Sequence, residues 1–315
     1  MIIGVDLGGM SAKAAVLNKN TLGGKSRVVT NAADSPEQTA ISLAKLCAET
    51  AEKVGKSLDD VQAIGIGSPG VVDSANGSVV FWSNYNWHDV PLAELVRKYT
   101  GKPVFVTNDA NAAALGEAKF GAGKKYMSSI LVTLGTGVGG GIIIDGKLFE
   151  GFRSAGTEIG HMVIKQDGEL CTCGRRGCFE RYASATGLIN MTRREMLSHP
   201  DSAMWKRAVT PEGADGTTAF ACAREGDETA KRVVEEYISY LGEGVVNLVN
   251  LFRPEAVMFG GGISAEGENL LAPLREYVYP RIYVSETYAR LDLIRAELGN
   301  DAGIYGAAQF AYERL

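Results

Sequence analysis

Three cysteines and one histidine lie close enough in the sequence to bind a single metal ion. They are His161, Cys171, Cys173 and Cys178, in the pattern H-x9-C-x-C-x4-C. Thiolate and imidazole ligands in one short segment are typical of tetrahedral Zn2+, and four protein ligands leave no open position. The pattern therefore predicts a structural zinc. An iron–sulfur cluster, which usually takes four thiolates, and three merely buried thiols are the alternatives.

Two carboxylates flank these metal-binding residues. Glu158 precedes His161 by three residues, and Glu180 follows Cys178 by two. Carboxylates held rigidly beside an imidazole are good acceptors for sugar hydroxyls, and the second ring nitrogen of His161 stays available when the first binds a metal. The alternative for each glutamate is a solvated position on the surface.

A glycine-rich turn near the N-terminus could bind phosphate. It separates two apolar runs within residues 2–17, a pattern that predicts a β-hairpin. Backbone N–H groups, a hydroxyl, a cation and a carboxylate together suit a phosphate with its metal ion. The residues that offer them are Asp6, Gly8, Gly9, Ser11 and Lys13. The alternative is a tight hairpin without a ligand.

The same strand, turn, strand pattern recurs in residues 128–146. Aligning residues 5–8 with residues 132–135 places the two turns in register, which predicts two related halves that each present a phosphate-binding hairpin. The second turn offers N–H groups and a hydroxyl but no added charge. Its residues are Gly135, Thr136 and Gly137.

A third glycine turn follows the apolar run of residues 256–259. It contains Gly261 and Gly262. Glycines after a strand allow another group to approach the backbone closely, which suits a nucleoside, although three successive glycines could equally form a loop.

Asp109 lies where a predicted strand ends and an Ala-rich helix begins, within the sequence NDAN of residues 108–111. An Asp or Asn that opens a helix is usually only a cap. The functional alternative is a general base at the carboxyl edge of a sheet, where α/β folds gather their ligands.

Periodicity and turn residues predict the elements that position these groups. Further strands are predicted over 61–67, near 79–81, from 103 and over 256–259, and helices over 36–54, 91–99, 229–252 and 302–315. The first of these helices begins at the cap Ser35, and the Ala and Gly face of the last predicts tight packing.

The composition limits the class of protein. The chain has 315 residues, of which 45% are hydrophobic, and a net charge of −5 with scattered Lys and Arg, so that no nucleic-acid partner is expected. No apolar run could span a bilayer and no leader is apparent, which predicts a cytoplasmic protein without a membrane partner. The remaining cysteines, Cys47 and Cys222, are expected to be buried packing residues.

The motifs together resemble the ROK family of sugar kinases and repressors, and most closely its bacterial glucokinases. The most specific part is E-x-G-H at residues 158–161 followed by C-x-C-G-x-x-G-C-x-E at residues 171–180. NDAN, LGTGVGGG at 134–141, GGG at 260–262 and AGIYGAA at 302–308 follow the family order, so the likeness covers nearly the whole chain.

This resemblance implies an α/β protein with the two-domain, actin-like ATPase (ribonuclease-H-like) fold and an interdomain cleft. In such kinases the last helix packs on the first domain. The expected domains are therefore residues 1–117 with 301–315, and residues 118–300, the second carrying the zinc loop. The family precedent also implies a homo-oligomer, either a dimer or a tetramer.

By the same likeness, the protein phosphorylates the 6-hydroxyl of glucose with ATP. Asp109 would be the general base and Asp6 would hold Mg2+, with the glycine turns around phosphate and nucleoside. The residues expected to hold the other sugar hydroxyls are Asn108, Glu158, His161 and Glu180, with Gly70 and Asn84 as weaker candidates. Where the family commonly has Thr, this chain has Met10, so one phosphate contact is in doubt.

Two other functions are compatible with the motifs. The first is a kinase for N-acetylmannosamine, N-acetylglucosamine or another hexose, because these enzymes share every motif named here. The second is a sugar-responsive transcriptional repressor. It is disfavoured because the phosphate hairpin begins at Ile2, which leaves no room for a preceding DNA-binding domain, and because the net charge is acidic.

Overall fold

The computed structural model describes all residues from 1 to 315 as an alternation of strands and helices. The strands are β1 (Ile2–Leu7), β2 (Ser11–Asn18), β3 (Thr21–Val29), β4 (Ala63–Ser68), β5 (Val71–Asp73), β6 (Ser78–Trp82), β7 (Trp87–Val90), β8 (Val104–Asn108), β9 (Ser129–Leu134), β10 (Val138–Ile144), β11 (Lys147–Phe149), β12 (Ala256–Gly260) and β13 (Asp292–Arg295). The helices are α1 (Pro36–Glu52), α2 (Leu92–Thr100), α3 (Asp109–Phe120), α4 (Glu180–Ala183), α5 (Ala185–Ser198), α6 (Met204–Ala208), α7 (Thr218–Arg224), α8 (Glu228–Phe252), α9 (Glu268–Val278) and α10 (Ala302–Tyr312). The predicted hairpins and helices are confirmed, with ends shifted by a few residues.

Two five-stranded sheets share one strand order. The first is β3-β2-β1-β4-β8 and the second is β11-β10-β9-β12-β13. In each sheet, three strands that follow one another in the sequence lie side by side. Two later strands extend the sheet beyond the first of these three. The predicted internal repeat is therefore confirmed, and the turn after β1 corresponds to the turn after β9. A smaller sheet contains β5, β6 and β7.

The chain divides into two compact units. The first contains Met1–Leu131, Gly141–Thr157 and Glu297–Leu315, and the second contains Val132–Gly140 and Glu158–Ala296. The sequence predicts domain boundaries after residues 117 and 300, and these boundaries remain a prediction.

In the first unit, β1, β4 and β8 run parallel. Their registers pair Asp6 with Gly67 and Ser68 with Asn108. Because the carboxyl ends of parallel strands meet at one edge of a sheet, Asp6 and the residues that follow Asn108 lie at the same edge.

Helix α10 lies unusually close to its neighbours in the first unit. A Cβ atom at Gly65 would lie 1.8 Å from the carbonyl oxygen of Ala307, and one at Gly306 would lie 1.6 Å from that of Ala112. No side chain could occupy either position, since real Cβ atoms do not approach backbone oxygens so closely. The predicted tight packing of the last helix is confirmed.

The second unit is organised around α8, the longest helix. Asp227 caps its first turn by accepting a hydrogen bond from the N–H of Ala230 at 2.7 Å. Gly244 lies against the ring of Phe179, and the hydroxyl of Tyr237 donates to the carbonyl of Ala183 at 2.8 Å. These contacts fix α4 and the segment before it, which carries the cysteines. No helix is long and apolar enough to cross a bilayer.

Candidate active site

At the edge of the first sheet, two carboxylates are close enough to influence each other. Asp6 lies near the end of β1, and Asp109 is the first residue of α3, directly after β8. Burial raises the pKa of the Asp6 carboxyl to about 6, opposed by Lys13 and reinforced by the negative charge of Asp109. Lys13 faces Asp6 in the β1–β2 register. This edge therefore concentrates negative charge in a poorly hydrated place, which favours a bound cation.

Asp109 is not the cap of α3. That role belongs to Asn108, whose side-chain oxygen accepts hydrogen bonds from the N–H groups of Ala110 at 2.9 Å and Asn111 at 3.2 Å. Burial raises the pKa of the Asp109 carboxyl, although hydrogen bonds from backbone N–H groups and from Asn108 oppose this shift. A carboxylate with a raised pKa is a stronger base than an exposed aspartate.

The side chain of Asn108 also fixes a neighbouring loop. Its amide donates a hydrogen bond to the carbonyl oxygen of Gly70 at 3.1 Å. Gly70 has φ +84°, and a Cβ there would lie 2.2 Å from the carbonyl oxygen of Phe81. The side chain of Asn108 is therefore fixed on all sides, since its oxygen accepts two hydrogen bonds and its amide donates to Gly70 and to Asp109.

The first glycine turn has its carbonyl groups occupied. Those of Gly8 and Gly9 accept hydrogen bonds from the hydroxyls of Thr30 at 2.9 Å and Tyr85 at 3.2 Å. Asn84, which precedes Tyr85, has its amide nitrogen 3.9 Å from the place of a Cβ on Gly9. The first unit thus brings Asn84, Gly70 and the predicted turn residues to one region.

In the second unit, the four predicted metal ligands converge. The ligand atoms of His161, Cys171, Cys173 and Cys178 lie within 4.8 Å of one another. Nδ1 of His161 is 3.7 Å from Sγ of Cys171, and the sulfur atoms of Cys173 and Cys178 are 3.6 Å apart. With metal–sulfur distances of about 2.3 Å, two sulfurs on a tetrahedral ion are about 3.8 Å apart, so the residues fit such an ion.

Two glycines allow the thiols to meet. Gly174 has φ +86° and Gly177 has φ +81°, and a Cβ at Gly177 would lie 1.7 Å from the carbonyl oxygen of Lys165. Burial raises the pKa of the Cys171 thiol, and it raises the pKa of the Cys178 thiol to about 12. A cation bound at the cluster would offset this burial by stabilising the thiolates.

Glu180 connects the metal-binding residues with the second glycine turn. Its Oε1 lies 3.3 Å from Sγ of Cys171, and its Oε2 lies 2.5 Å from the place of a Cβ on Gly137. Glu158 directly precedes the single helical turn Ile159–His161, and its carbonyl accepts the N–H of His161 at 3.1 Å. Glu158 is therefore held next to His161 by the backbone, whereas the carboxylate of Glu180 lies beside Cys171.

The second turn resembles the first in its hydrogen bonds. The carbonyl of Gly135 accepts from the N–H of Ala185 at 2.8 Å, and that of Thr136 from the hydroxyl of Thr186 at 2.7 Å. Gly261 has φ +83° and lies against the backbone of Leu134, where a Cβ would be 2.5 Å from the carbonyl oxygen. The second and third turns are therefore neighbours.

Three hydroxyl residues at these turns were not predicted. Thr30, Tyr85 and Thr186 lie 22, 76 and 50 residues from the carbonyls that they contact. No local motif marks them, since their partners are brought close only by the fold.

Comparisons with known proteins identify the family to which the chain belongs. The profile described as "ROK family" matches residues 2–314. A glucokinase of Thermotoga maritima is 39% identical over 317 residues, covering 100% of this chain and 98% of the relative. A solved structure, the ROK family glucokinase of Streptomyces griseus in complex with glucose and AMPPNP, is 36% identical, covers 99% of both chains and has a TM-score of 0.83.

The ROK hexokinase of Thermus thermophilus, also a solved structure, is 33% identical, covers 99% of this chain and 98% of its own, and has a TM-score of 0.81. The likeness to these structures confirms the predicted fold class, a two-domain α/β protein with the actin-like ATPase fold. By its motifs, its fold and the match over nearly its whole length, the chain belongs to the ROK family.

Proposed function

We propose that the protein is an ATP-dependent hexose kinase that transfers the γ-phosphate of ATP to the 6-hydroxyl of glucose. The observation that carries this proposal is the pair of carboxylates, Asp6 and Asp109, at one edge of the first sheet. A kinase of this kind needs one carboxylate for a metal ion and one for a proton. Full-length similarity to proteins named glucokinase supports the choice of glucose.

Asp109 is proposed as the general base. It takes the proton from the sugar hydroxyl as the oxygen attacks the γ-phosphorus, and burial prepares it for this by raising its pKa. Phosphoryl transfer asks for little covalent work from the protein, so the remaining residues orient the substrates and stabilise charge.

The other hydroxyls of the sugar are assigned to the side chains that the sequence motifs predict. Asn108 would donate from its amide group, and Glu158 and Glu180 offer acceptor oxygens. His161 faces the cysteines with Nδ1, so Nε2 is the nitrogen assigned to the sugar. Gly70 and Asn84 are weaker candidates, because the Gly70 carbonyl already accepts from Asn108.

ATP is assigned to the glycine turns. Asp6 would hold Mg2+, which offsets phosphate charge when bound, and Lys13 and Ser11 add a cation and a hydroxyl. The backbone N–H groups that would bind phosphate belong to Gly9, Thr136 and Gly137. Those of Gly8 and Gly135 shape the turns, because they donate to the carbonyls of Ser11 at 3.0 Å and Gly137 at 3.1 Å. Gly261 and Gly262 would lie under the nucleoside, where a side chain would obstruct it.

Zinc is assigned to His161, Cys171, Cys173 and Cys178 as a structural ion. When bound it would hold the loop between β11 and α4, and with it the orientation of His161 and Glu180. We also propose that the protein is cytoplasmic and forms a homo-oligomer. Its proposed domains are residues 1–117 with 301–315, and residues 118–300.

A coupled ADP-release assay with a panel of hexoses and N-acetylhexosamines tests the function. We expect glucose to give the highest kcat/KM with ATP. Faster turnover of N-acetylmannosamine, N-acetylglucosamine or another hexose would replace glucose by that sugar, and no turnover with any sugar would contradict the kinase. In that case, specific binding of operator DNA in a gel-shift assay would identify a repressor instead.

A further inference from the structure

The two glycine turns that correspond in the internal repeat have the same carbonyl groups occupied. In the register of the repeat, Gly8 corresponds to Gly135 and Gly9 to Thr136. Four donors, two of them threonine hydroxyls, bind these four carbonyls at 2.7 to 3.2 Å. The donors are Thr30 Oγ1 to Gly8, Tyr85 Oη to Gly9, Ala185 N to Gly135 and Thr186 Oγ1 to Thr136.

An occupied carbonyl fixes the direction of the next N–H group. In a trans peptide the C=O and the following N–H point in opposite directions, and no peptide bond of the chain is cis. The N–H groups of Gly9 and Met10 therefore point away from Thr30 and Tyr85, and that of Gly137 points away from Thr186. Backbone N–H groups whose direction is fixed in this way can bind an anion.

Several hydrogen bonds hold the first turn in place. The backbone N–H of Thr30 also donates to the carbonyl of Met10 at 3.2 Å. Thr30 and Tyr85 are only 7% and 5% exposed, and Tyr85 is stacked on Trp82 with ring centroids 3.9 Å apart. These donors cannot move away without disturbing the packing around them, whereas Thr186 is more accessible.

We infer that Thr30, Tyr85 and Thr186 are positioning residues, each of which orients its own glycine turn for binding nucleotide phosphate. They act through the carbonyl groups and do not touch the substrate. The inference rests on the proposed function, because it takes ATP as the ligand of the turns. It also explains how the first turn can keep its conformation with Met10 in place of a threonine. The hydroxyls of Thr30 and Tyr85, which are distant in the sequence, hold its carbonyl groups.

The test replaces each hydroxyl by a hydrogen or methyl in a side chain of the same shape. Thr30→Val, Tyr85→Phe and Thr186→Val each remove one hydrogen bond. We expect KM for ATP, and Kd for ADP measured by calorimetry, to rise about 2- to 10-fold, since one such bond is typically worth that factor. KM for glucose should stay within about twofold, and the effect of Thr186→Val should be the smallest.

Two buried threonines provide matched controls. Thr50 donates to the carbonyl of Leu46 at 2.7 Å, and Thr192 to that of Leu188 at 2.8 Å, both within helices. Thr50→Val and Thr192→Val remove the same kind of bond without touching a glycine turn, and should leave KM for ATP unchanged. Thr30→Ser and Thr186→Ser keep the hydroxyl and should retain the wild-type KM for ATP.

The possible outcomes separate the inference from the proposed function. If the wild-type protein phosphorylates sugar but the three variants match the controls in KM for ATP and Kd for ADP, the inference is wrong. Equal weakening of glucose and ATP would also overturn it, since this would indicate general loss of structure. If the wild-type protein neither binds ADP nor consumes ATP, the proposed function fails and the inference fails with it.

Discussion

Oε2 of Glu180 lies 2.5 Å from the position that a Cβ atom would take on Gly137. The turn assigned to phosphate and a carboxylate assigned to sugar are therefore in contact. The atom that a new methyl group would meet is the far end of a flexible side chain, so the carboxylate, rather than the backbone, would yield.

Gly137→Ala should consequently weaken sugar binding. We expect KM for glucose to rise about tenfold, because the displaced carboxylate loses a hydrogen bond to a hydroxyl, and a bond to a charged group is typically worth that factor or more. Gly135→Ala is the control. A Cβ at Gly135 has nothing within 4 Å, so KM for glucose should not change. An unchanged KM for glucose in Gly137→Ala would refute the role of Glu180.

Replacement of Asp109 by Asn should lower kcat by roughly 10²- to 10⁴-fold, the usual contribution of a general base. The amide can still accept the N–H of Ala110, which the carboxylate accepts at 2.8 Å, so the start of α3 should remain intact. Steady-state kinetics at saturating glucose and ATP would measure the loss. Turnover within threefold of the wild type would exclude Asp109 as the base.

The same substitution should stabilise the ligand-free protein at neutral pH. Burial raises the pKa of Asp109 in the folded state above the unfolded value of about 3.9, so the unfolded state binds fewer protons over the pH range between the two. Stability is therefore highest below the unfolded pKa and falls as pH rises through the folded pKa. Asn cannot ionise and avoids this loss.

Thermal unfolding without nucleotide or metal should accordingly show a higher melting temperature for Asp109→Asn at pH 7.5. The difference should disappear below about pH 3, where both residues are almost entirely uncharged in the folded and the unfolded state. A lower melting temperature of the variant at pH 7.5 would contradict the proposed burial of the charge.

Metal analysis of the purified protein should find about one zinc per chain. Cys173→Ala removes one of the four ligands and should abolish stoichiometric zinc, with loss of activity, because structural zinc can contribute on the order of 10 kcal/mol to local folding. Cys222→Ala is the control, since Cys222 is buried outside the cluster, and this variant should keep its zinc. A metal-free wild-type protein that is folded and active would exclude the zinc site.

Met10→Thr should increase the affinity for ATP. The side chain of Met10 is 82% exposed, so the change should leave stability almost unaltered, while the new hydroxyl can donate to a phosphate. We expect KM for ATP to fall about 2- to 10-fold with little change in kcat. Met10→Ala, which adds no hydroxyl, should not show this gain. Equal KM values for ATP in the two variants would indicate that Ser11 already makes the contact.

Features that depend on neighbouring residues were predictable from the sequence. The start of α1 is one example, because Ser35 accepts the N–H of Gln38 at 3.2 Å and the Gln38 side chain accepts the N–H of Ser35 at 2.8 Å. The metal-binding residues are another. Their spacing alone brings them together once two glycines allow the chain to turn.

Features that depend on distant residues were not predictable. Strand β3 contains two glycines and is largely exposed or half-buried, so its sequence has no clear alternation. Glu117 is fully buried and accepts the N–H groups of Glu297 at 3.1 Å and Leu298 at 2.7 Å, about 180 residues away. Such a carboxylate resembles any helical surface glutamate in the sequence. The hydroxyls that hold the glycine turns were missed for the same reason.

The packing of α10 has a consequence for synthesis on the ribosome. This helix fits into spaces that Gly4 and Gly65 leave on β1 and β4, yet it is encoded nearly 240 residues after the second of these. Chains emerge from the N-terminus, and an uncovered apolar sheet is prone to aggregation. Helix α10 is translated after the whole of the second unit. We therefore expect one face of the first sheet to stay uncovered on the nascent chain until the end of synthesis.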